Sequence, residues 1–188
     1  MNTPSIKYTI EPWVTSGERV EYTTNIFKVL SRDMEIESEN HQRTFSILEC
    51  PDWVNVLALT PENDIILVEQ YRFGTEKHSL EPAGGVCDPG ETPLETAKRE
   101  LLEETGYSSA EWHSLGKVAS NPAMQTNYTH TLLARNCVKT GDQNLDESER
   151  ITVHTIPLVH FLDLIRQGEI DHSLMVAAVA KFLLSEFA

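Results

Sequence analysis

Positive charge is scarce in this chain of 188 residues. It has 15 Lys and Arg against 29 Asp and Glu, a net charge of −14. A sequence-independent hold on nucleic acid needs clustered basic side chains, so nucleic acid is not an expected partner. A highly phosphorylated ligand is repelled too, unless cations intervene. Cysteine is also scarce: Cys50, Cys87 and Cys137 are the three in the chain, without framework spacing. An odd count of this kind argues for reduced thiols and a cytoplasmic setting. Long apolar runs are missing. The most apolar stretch, "SLMVAAVAKFLLSEF", is too short to span a bilayer and contains Lys181. The first residues lack the basic and apolar regions of a signal peptide, so no membrane partner is expected. There is no internal repeat and no low-complexity segment. The length suits one domain, or one core with a small appendage.

What is present reads as strands first. "RVEYTTNIFKVLSRDMEIE" is rich in β-branched and aromatic residues, and "RTFSILEC" alternates. "WVNVLALT" and "DIILVEQYRF" are almost continuously apolar, which suggests strands buried on both faces; "PEND" is the turn between them. "EWHSLGKVASNPA", "NYTHTLLARNCV" and "RITVHTIPL" read as further strands, and "TGDQNLDESE" as an acidic loop. "LVHFLDLIRQG" and "HSLMVAAVAKFLLSEF" read as amphipathic helices, the first ending at Gly168. The fold class is α+β, a mixed sheet with few helices. Residues 1–50 are expected to form a separate small antiparallel sheet, and 51–188 the main domain.

Between these lies "EPAGGVCDPGETPLETAKRELLEETGY". A Gly/Pro-rich loop, Pro82 to Gly90, leads into a helix. Thr92 is a good N-cap, Pro93 suits the first helical position, and Glu95 completes a capping box. Gly106 suits the residue that ends the helix. At 100° per residue, Leu94, Ala97 and Leu101 fall within about 60° and are expected to form the buried stripe. Glu100, Glu103 and Glu104 are expected on an arc of about 100° on the other side. A charge run usually means a solvated face. Two features argue otherwise. These acids crowd the carboxyl end of the helix, where the dipole disfavours them. Few lysines alternate with them. A hard divalent cation against this face accounts for both, since Mg²⁺ and Mn²⁺ prefer carboxylate oxygens.

The spacing runs Gly85, five residues, Glu91, seven residues, Arg99-Glu100-Leu101, one residue, Glu103-Glu104, one residue, Gly106-Tyr107. This resembles the full Nudix box, G-x5-E-x7-R-E-U-x-E-E-x-G-U, where U is a bulky aliphatic or aromatic residue. The resemblance implies a Nudix α/β/α sandwich that hydrolyses a diphosphate linked to a nucleoside. By position, Glu100, Glu103 and Glu104 resemble the metal-binding acids, and the Gly84 carbonyl a further ligand. Glu91 and Arg99 resemble the pair that braces loop against helix. The implied cofactor is Mg²⁺, with Mn²⁺ able to substitute.

Residues outside the box narrow the resemblance to ADP-ribose pyrophosphatases and related nucleoside-diphosphate-sugar hydrolases. "VEQYRFG" and "SLEPAGG" resemble the stretch before the box in that group. There Arg72 matches a substrate-contacting arginine, though an arginine at a strand end also pairs readily with an acid; Glu81 matches an acid near the site. Pro122, 16 residues past Gly106, matches a proline that marks the group. "ESERITVH" resembles the loop that supplies a catalytic base and a metal-linked glutamate, by position Glu147 and Glu149. Directly after Pro122, "AMQTNYTH" departs from the pattern of ADP-ribose enzymes. Gln125 and Asn127 are available there to hydrogen-bond a sugar, which leaves room for GDP-mannose. The resemblance covers roughly residues 45–184 and implies a small nucleotide-sugar substrate. It also implies a homodimer formed through the N-terminal sheet. A dinucleoside polyphosphate or nucleoside triphosphate hydrolase, or a nucleotide sensor without turnover, are the alternatives.

Overall fold

The apolar strand pair centred on Trp53 to Arg72 forms the middle of the sheet in the computed structural model, which describes residues 7–185. In chain order the strands are β1 (Val14–Thr23), β2 (Lys28–Ile36), β3 (His41–Glu49), β4 (Trp53–Leu59), β5 (Asp64–Arg72), β6 (Lys77–Glu81), β7 (Tyr107–Ser108), β8 (Glu111–Ala119), β9 (Tyr128–Arg135), β10 (Val138–Lys139) and β11 (Thr152–Pro157). The helices are α1 (Pro93–Thr105), α2 (Leu158–Gln167) and α3 (Ser173–Ser185). The short strand β6 was not anticipated, because five residues without a β-branched or aromatic side chain give no strand signal. Among the described residues, no helix is long and apolar enough to cross a membrane, and Cys50, Cys87 and Cys137 are free thiols.

The chain divides into two compact units. The first comprises Met1–Cys50 with Asn121–Thr126. In it, β1, β2 and β3 form an antiparallel meander. Asn121–Thr126 joins this unit by backbone bonds of Leu48 with Met124 and Thr126. Among the described residues of this unit, Leu30 and Ile36 are buried, while β1 is exposed along nearly all its length.

The second unit holds the main sheet, in the order β11-β5-β4-β9-β8, with β6 also paired to β5. The pair β4–β9 is parallel and the others antiparallel, which makes the sheet mixed. Alternation sends Val54, Val56, Ile66, Val68 and Leu132 to one face, against Ala97 and Leu101 of α1. It sends Leu57, Ile65, Leu67 and Leu133 to the other, against Phe161 of α2 and Met175 and Phe182 of α3. Two hydrophobic layers, one on each side, explain the unbroken apolar runs of β4 and β5.

Strand β5 changes partner along its length. Ile65 and Ile66 pair with β4, whereas Val68–Arg72 pair with β6. The inner half of β4 is therefore left to the segment after β6. Val56 and Val54 N–H donate to the Ala83 and Gly85 carbonyls, and Cys87 N–H donates to the Asp52 carbonyl. The loop before α1 is thus stitched onto the centre of the sheet.

Helix α1 has the expected ends. The Thr92 side chain accepts from Glu95 N–H, and the Glu95 carboxylate accepts from Thr92 N–H at 2.8 Å. Gly106 sits at φ 75°, left-handed, where a β-carbon is disfavoured. The buried stripe differs from expectation. Leu94 lies in the first turn and is 38% exposed, while Thr96, Ala97, Leu101 and Glu104 are buried. Leu101→Ala is expected to cost about 3 kcal/mol, from transfer and cavity terms together. Thr92→Ala should cost about 1 kcal/mol, for the cap alone. Urea denaturation of both variants checks this; an equal or reversed order would count against α1 being held mainly by its buried face.

Candidate active site

The segment from Ala83 to Val86 brings the backbone against the acids of α1. The carbonyls of Ala83 and Gly85 face β4. In extended chain the intervening groups face the other way, so the N–H and carbonyl of Gly84 are turned from β4. The Gly84 N–H donates to Glu104 Oε2 at 2.9 Å. Space requires a glycine at 84, where backbone stands in the way; at 85 the obstacle is the end of a flexible side chain. A β-carbon at Gly84 would strike the Val54 carbonyl, and one at Gly85 would strike the Glu100 carboxylate.

Glu104 is not opposite the stripe but within it, 4% exposed. The reason is helix geometry: Glu104 lies seven positions after Ala97, almost two whole turns. Burial, with Glu100 and Glu149 nearby, pushes its carboxyl up to about 8, against the pull of the Gly84 N–H. Glu100 is also raised, by burial first, with Glu103 and Glu149 adding to it. Glu103 is the more open of the three acids.

Arg99 is the local hub. Its Nε and NH2 grip Glu91 at 3.1 and 3.0 Å. Its NH1 donates to Glu100 at 2.9 Å and Glu103 at 3.1 Å. NH2 also reaches the Val86 carbonyl at 3.3 Å, which ties loop to helix. Glu91 takes a further bond from the Thr96 hydroxyl at 2.8 Å. Arg99 and Thr96 together hold the Glu91 carboxyl down to about 2. Sequence reasoning missed Thr96, which looks like an ordinary buried position until its hydroxyl is seen.

Arg72 stands on the same face of the sheet as α1, two residues along from Gln70 and four from Val68. Its guanidinium is clamped by the buried Glu81 at 2.8 and 2.6 Å. The strand-end pairing considered for Arg72 is therefore present, and Glu81 spends both oxygens on it. Arg72 keeps nearly half its side chain exposed.

The acidic loop lies against the carboxyl end of α1. Asn144 N–H donates to the Glu103 carbonyl at 2.8 Å, and Gln143 Nε2 to the Glu104 carbonyl at 2.7 Å. Glu149 acts on both Glu100 and Glu104. Glu147 is exposed, with its carbonyl accepting from Arg150. Of the other expected residues, Pro122 and Gln125 fall in the first unit, Pro122 exposed and Gln125 half-buried. Asn127 is not brought to the site. It is 2% exposed, its amide has no hydrogen-bond partner, and it precedes Thr129, Thr131 and Leu133 in the alternation that faces α3.

Could these side chains hold a metal? Among the described residues, no three His, Cys, Asp or Glu side chains are already arranged as a cage. Glu100 and Glu103 are turned to Arg99 instead. The donor set still fits a hard cation: carboxylate oxygens from Glu100, Glu103, Glu104 and Glu149, beside a backbone carbonyl turned from its sheet. Burial first, and then the charges of Glu100 and Glu149, raise the Glu104 carboxyl, and a cation placed there would reverse that direction.

A Nudix domain matches residues 51–178, more than half of the chain. The chain belongs to the Nudix family, and its class is that of a Nudix pyrophosphatase, a hydrolase that generally needs a divalent metal. It is 33% identical over 141 residues to an ADP-ribose pyrophosphatase of Bacillus subtilis, covering 74% of this chain and 76% of that one. It is 32% identical over 166 residues to the methanol dehydrogenase activator of Bacillus methanolicus, covering 88% and 89%. A crystal structure of an ADP compounds hydrolase superposes with a TM-score of 0.81 at 25% identity, covering 96% of each chain.

The raised Glu104 carboxyl gives a pH prediction for the protein in EDTA. A carboxyl at about 8 in the folded chain and about 4.5 unfolded stabilises the fold in its neutral form. That contribution is fully present below about pH 4.5 and is lost as pH rises through about 8. Melting temperature in EDTA should therefore fall across this window, and Glu104→Gln should flatten the fall. An equally steep decline in Glu104→Gln would assign it to other groups.

Proposed function

We propose that the protein hydrolyses the diphosphate of a nucleoside diphosphate sugar, ADP-ribose or a similar molecule such as GDP-mannose, with Mg²⁺ as cofactor and Mn²⁺ able to substitute. The products are a nucleoside monophosphate and a sugar phosphate. The observation that carries this reading is Glu104 bonded to the Gly84 N–H with the Glu100 carboxylate against Gly85, and Glu149 near enough to act on both acids. Its likeness to an ADP-ribose pyrophosphatase and to an ADP compounds hydrolase supports the substrate class.

Glu100, Glu103, Glu104, Glu149 and the Gly84 carbonyl are the groups that would hold the metal. A bound divalent cation neutralises the diphosphate and lowers the pKa of an attacking water. Arg72, fixed in direction by Glu81, offers its exposed guanidinium edge to a phosphate. Glu91 keeps Arg99 in place, so that Glu100 and Glu103 stay gathered before substrate arrives. Glu147 is assigned the catalytic base, because an exposed carboxylate on a loop is able to close over substrate and orient water. Gln125 is assigned to the sugar. The first unit is assigned to homodimerisation, since the edge strand β1 exposes Val14, Val20 and Tyr22 along an unpaired side.

A hydrolysis panel of ADP-ribose, GDP-mannose, diadenosine polyphosphates and nucleoside triphosphates tests the substrate class. The diphosphate sugars should be cleaved fastest, with no turnover in EDTA and recovery on adding Mg²⁺ or Mn²⁺. Glu104→Gln should lower kcat at least ~100-fold, a transition-state loss of about 3 kcal/mol, while the fold survives, because a glutamine oxygen can still accept from Gly84. Normal turnover in that variant, or a triphosphate as best substrate, would sink this reading. Sedimentation at micromolar concentration should show a dimer; a monomer there removes the role given to β1.

A further inference from the structure

Both ends of the acidic loop meet at one side chain. Gln143 Nε2 donates to the Glu104 carbonyl at 2.7 Å, in the last turn of α1. The same nitrogen donates to the Ile151 carbonyl at 3.3 Å, where the loop runs into β11. An amide nitrogen carries two hydrogens, so one glutamine can make both bonds at once. The Glu104 carbonyl is among the last four of the helix, which have no partner inside it. Asn144 N–H takes the neighbouring Glu103 carbonyl, and Thr140 and Gly141 N–H take that of Gly106.

The tip of the loop closes on itself. Asp146 N–H donates to Glu149 Oε2 at 2.9 Å, and Glu149 N–H donates back to the Asp146 carbonyl at 3.0 Å. Arg150 NH1 adds bonds to the Glu147 and Glu149 carbonyls. The Glu149 carboxylate is therefore fixed relative to its own loop. What fixes the loop relative to the box is a separate matter. A cavity of about 590 Å³, lined by Thr105, Tyr107, Lys139, Gln143 and Thr152, lies against this segment. Residues 141–144 are exposed. Ile151 packs against the core where the loop enters β11 and Leu145 is half-buried, but at 141–144 the loop is held by hydrogen bonds to the end of α1 and to Gly106.

We propose that Gln143 is a positioning residue that latches loop 142–151 to the carboxyl end of α1 and so keeps Glu149 beside Glu100 and Glu104. This deepens the proposed function and rests on it only for the metal. Gln143→Met keeps the length of the side chain and removes the donor. Gln143→Glu offers oxygens where hydrogens are needed. Both variants should be read in two ways. Limited trypsin digestion in EDTA reports loop release through cleavage after Arg150. Titration calorimetry with Mn²⁺, without substrate, reports the placement of Glu149. Cleavage after Arg150 should speed up about tenfold and Mn²⁺ bind about tenfold more weakly in both variants, as expected for two net hydrogen bonds. Far-ultraviolet circular dichroism should stay unchanged. Unchanged cleavage, or faster cleavage with unchanged Mn²⁺ affinity, overturns the latch. A wild-type protein that neither binds Mn²⁺ nor turns over the panel overturns the proposed function instead, and the latch is then decided by cleavage alone.

Discussion

Four carboxylates converge on the guanidinium of Arg99. Glu91, Glu100 and Glu103 are bonded to it, and Asp88 stands at 3.8 Å. Like charges one turn apart on a helix repel, and this helix places three acids at the end where its dipole repels them too. The planar fork of arginine is what makes the arrangement tolerable, because it binds several carboxylate oxygens in different directions at once. A lysine offers a point charge and cannot span Glu91 on one side and Glu103 on the other. The loop, the helix and the acids are thus joined through one side chain. Glu104 lies outside its reach, and there burial raises the carboxyl's pKa instead of a partner lowering it.

The sheet makes room for this cluster by splitting. Strand β5 leaves β4 after Ile66, and the box segment takes the vacated edge. Only a residue without a β-carbon fits where that segment crosses β4, which accounts for Gly84, while Gly85 lets the Glu100 carboxylate come close. The geometry that positions the acids therefore begins in strand pairing, not in the helix. A helix alone presents Glu104 to its buried side; it takes the Gly84 N–H to give that carboxyl a use there.

Much of this was legible in the sequence. Thr92, Pro93, Glu95 and Gly106 mark the ends of α1 by local rules that tertiary packing does not override. The buried strands β4 and β5 follow from their unbroken apolar runs, and the box spacing carried the family. The misreadings share a cause. Leu94 was expected in the buried stripe, and Glu104 outside it, because a helical wheel gives angles and not where the sheet ends. Asn127 was expected at the sugar, because polar residues in a loop-like stretch suggest solvent, yet alternation into β9 turns it inward. The loop assignments by position could not show that Glu81 serves Arg72, since residues nine apart meet only through the pairing of β5 with β6. Nor could they show Gln143, whose two partners lie on different elements.

The helix end explains why the acids and the loop belong together. The last carbonyls of an α-helix need donors from elsewhere, and here the acidic loop supplies them from Asn144 and Gln143, while Thr140 and Gly141 hold the carbonyl of Gly106 just beyond. That same loop brings Glu149 toward Glu100 and Glu104. Capping and assembly of the site are one event. Donors that neutralise the negative end of the dipole also lessen the cost of crowding acids there. The acids of α1 and the polar residues of the loop are in that sense a single electrostatic unit. Loss of the loop contacts would expose bare carbonyls beside the carboxylates, so the helix end and the site stand or fall together.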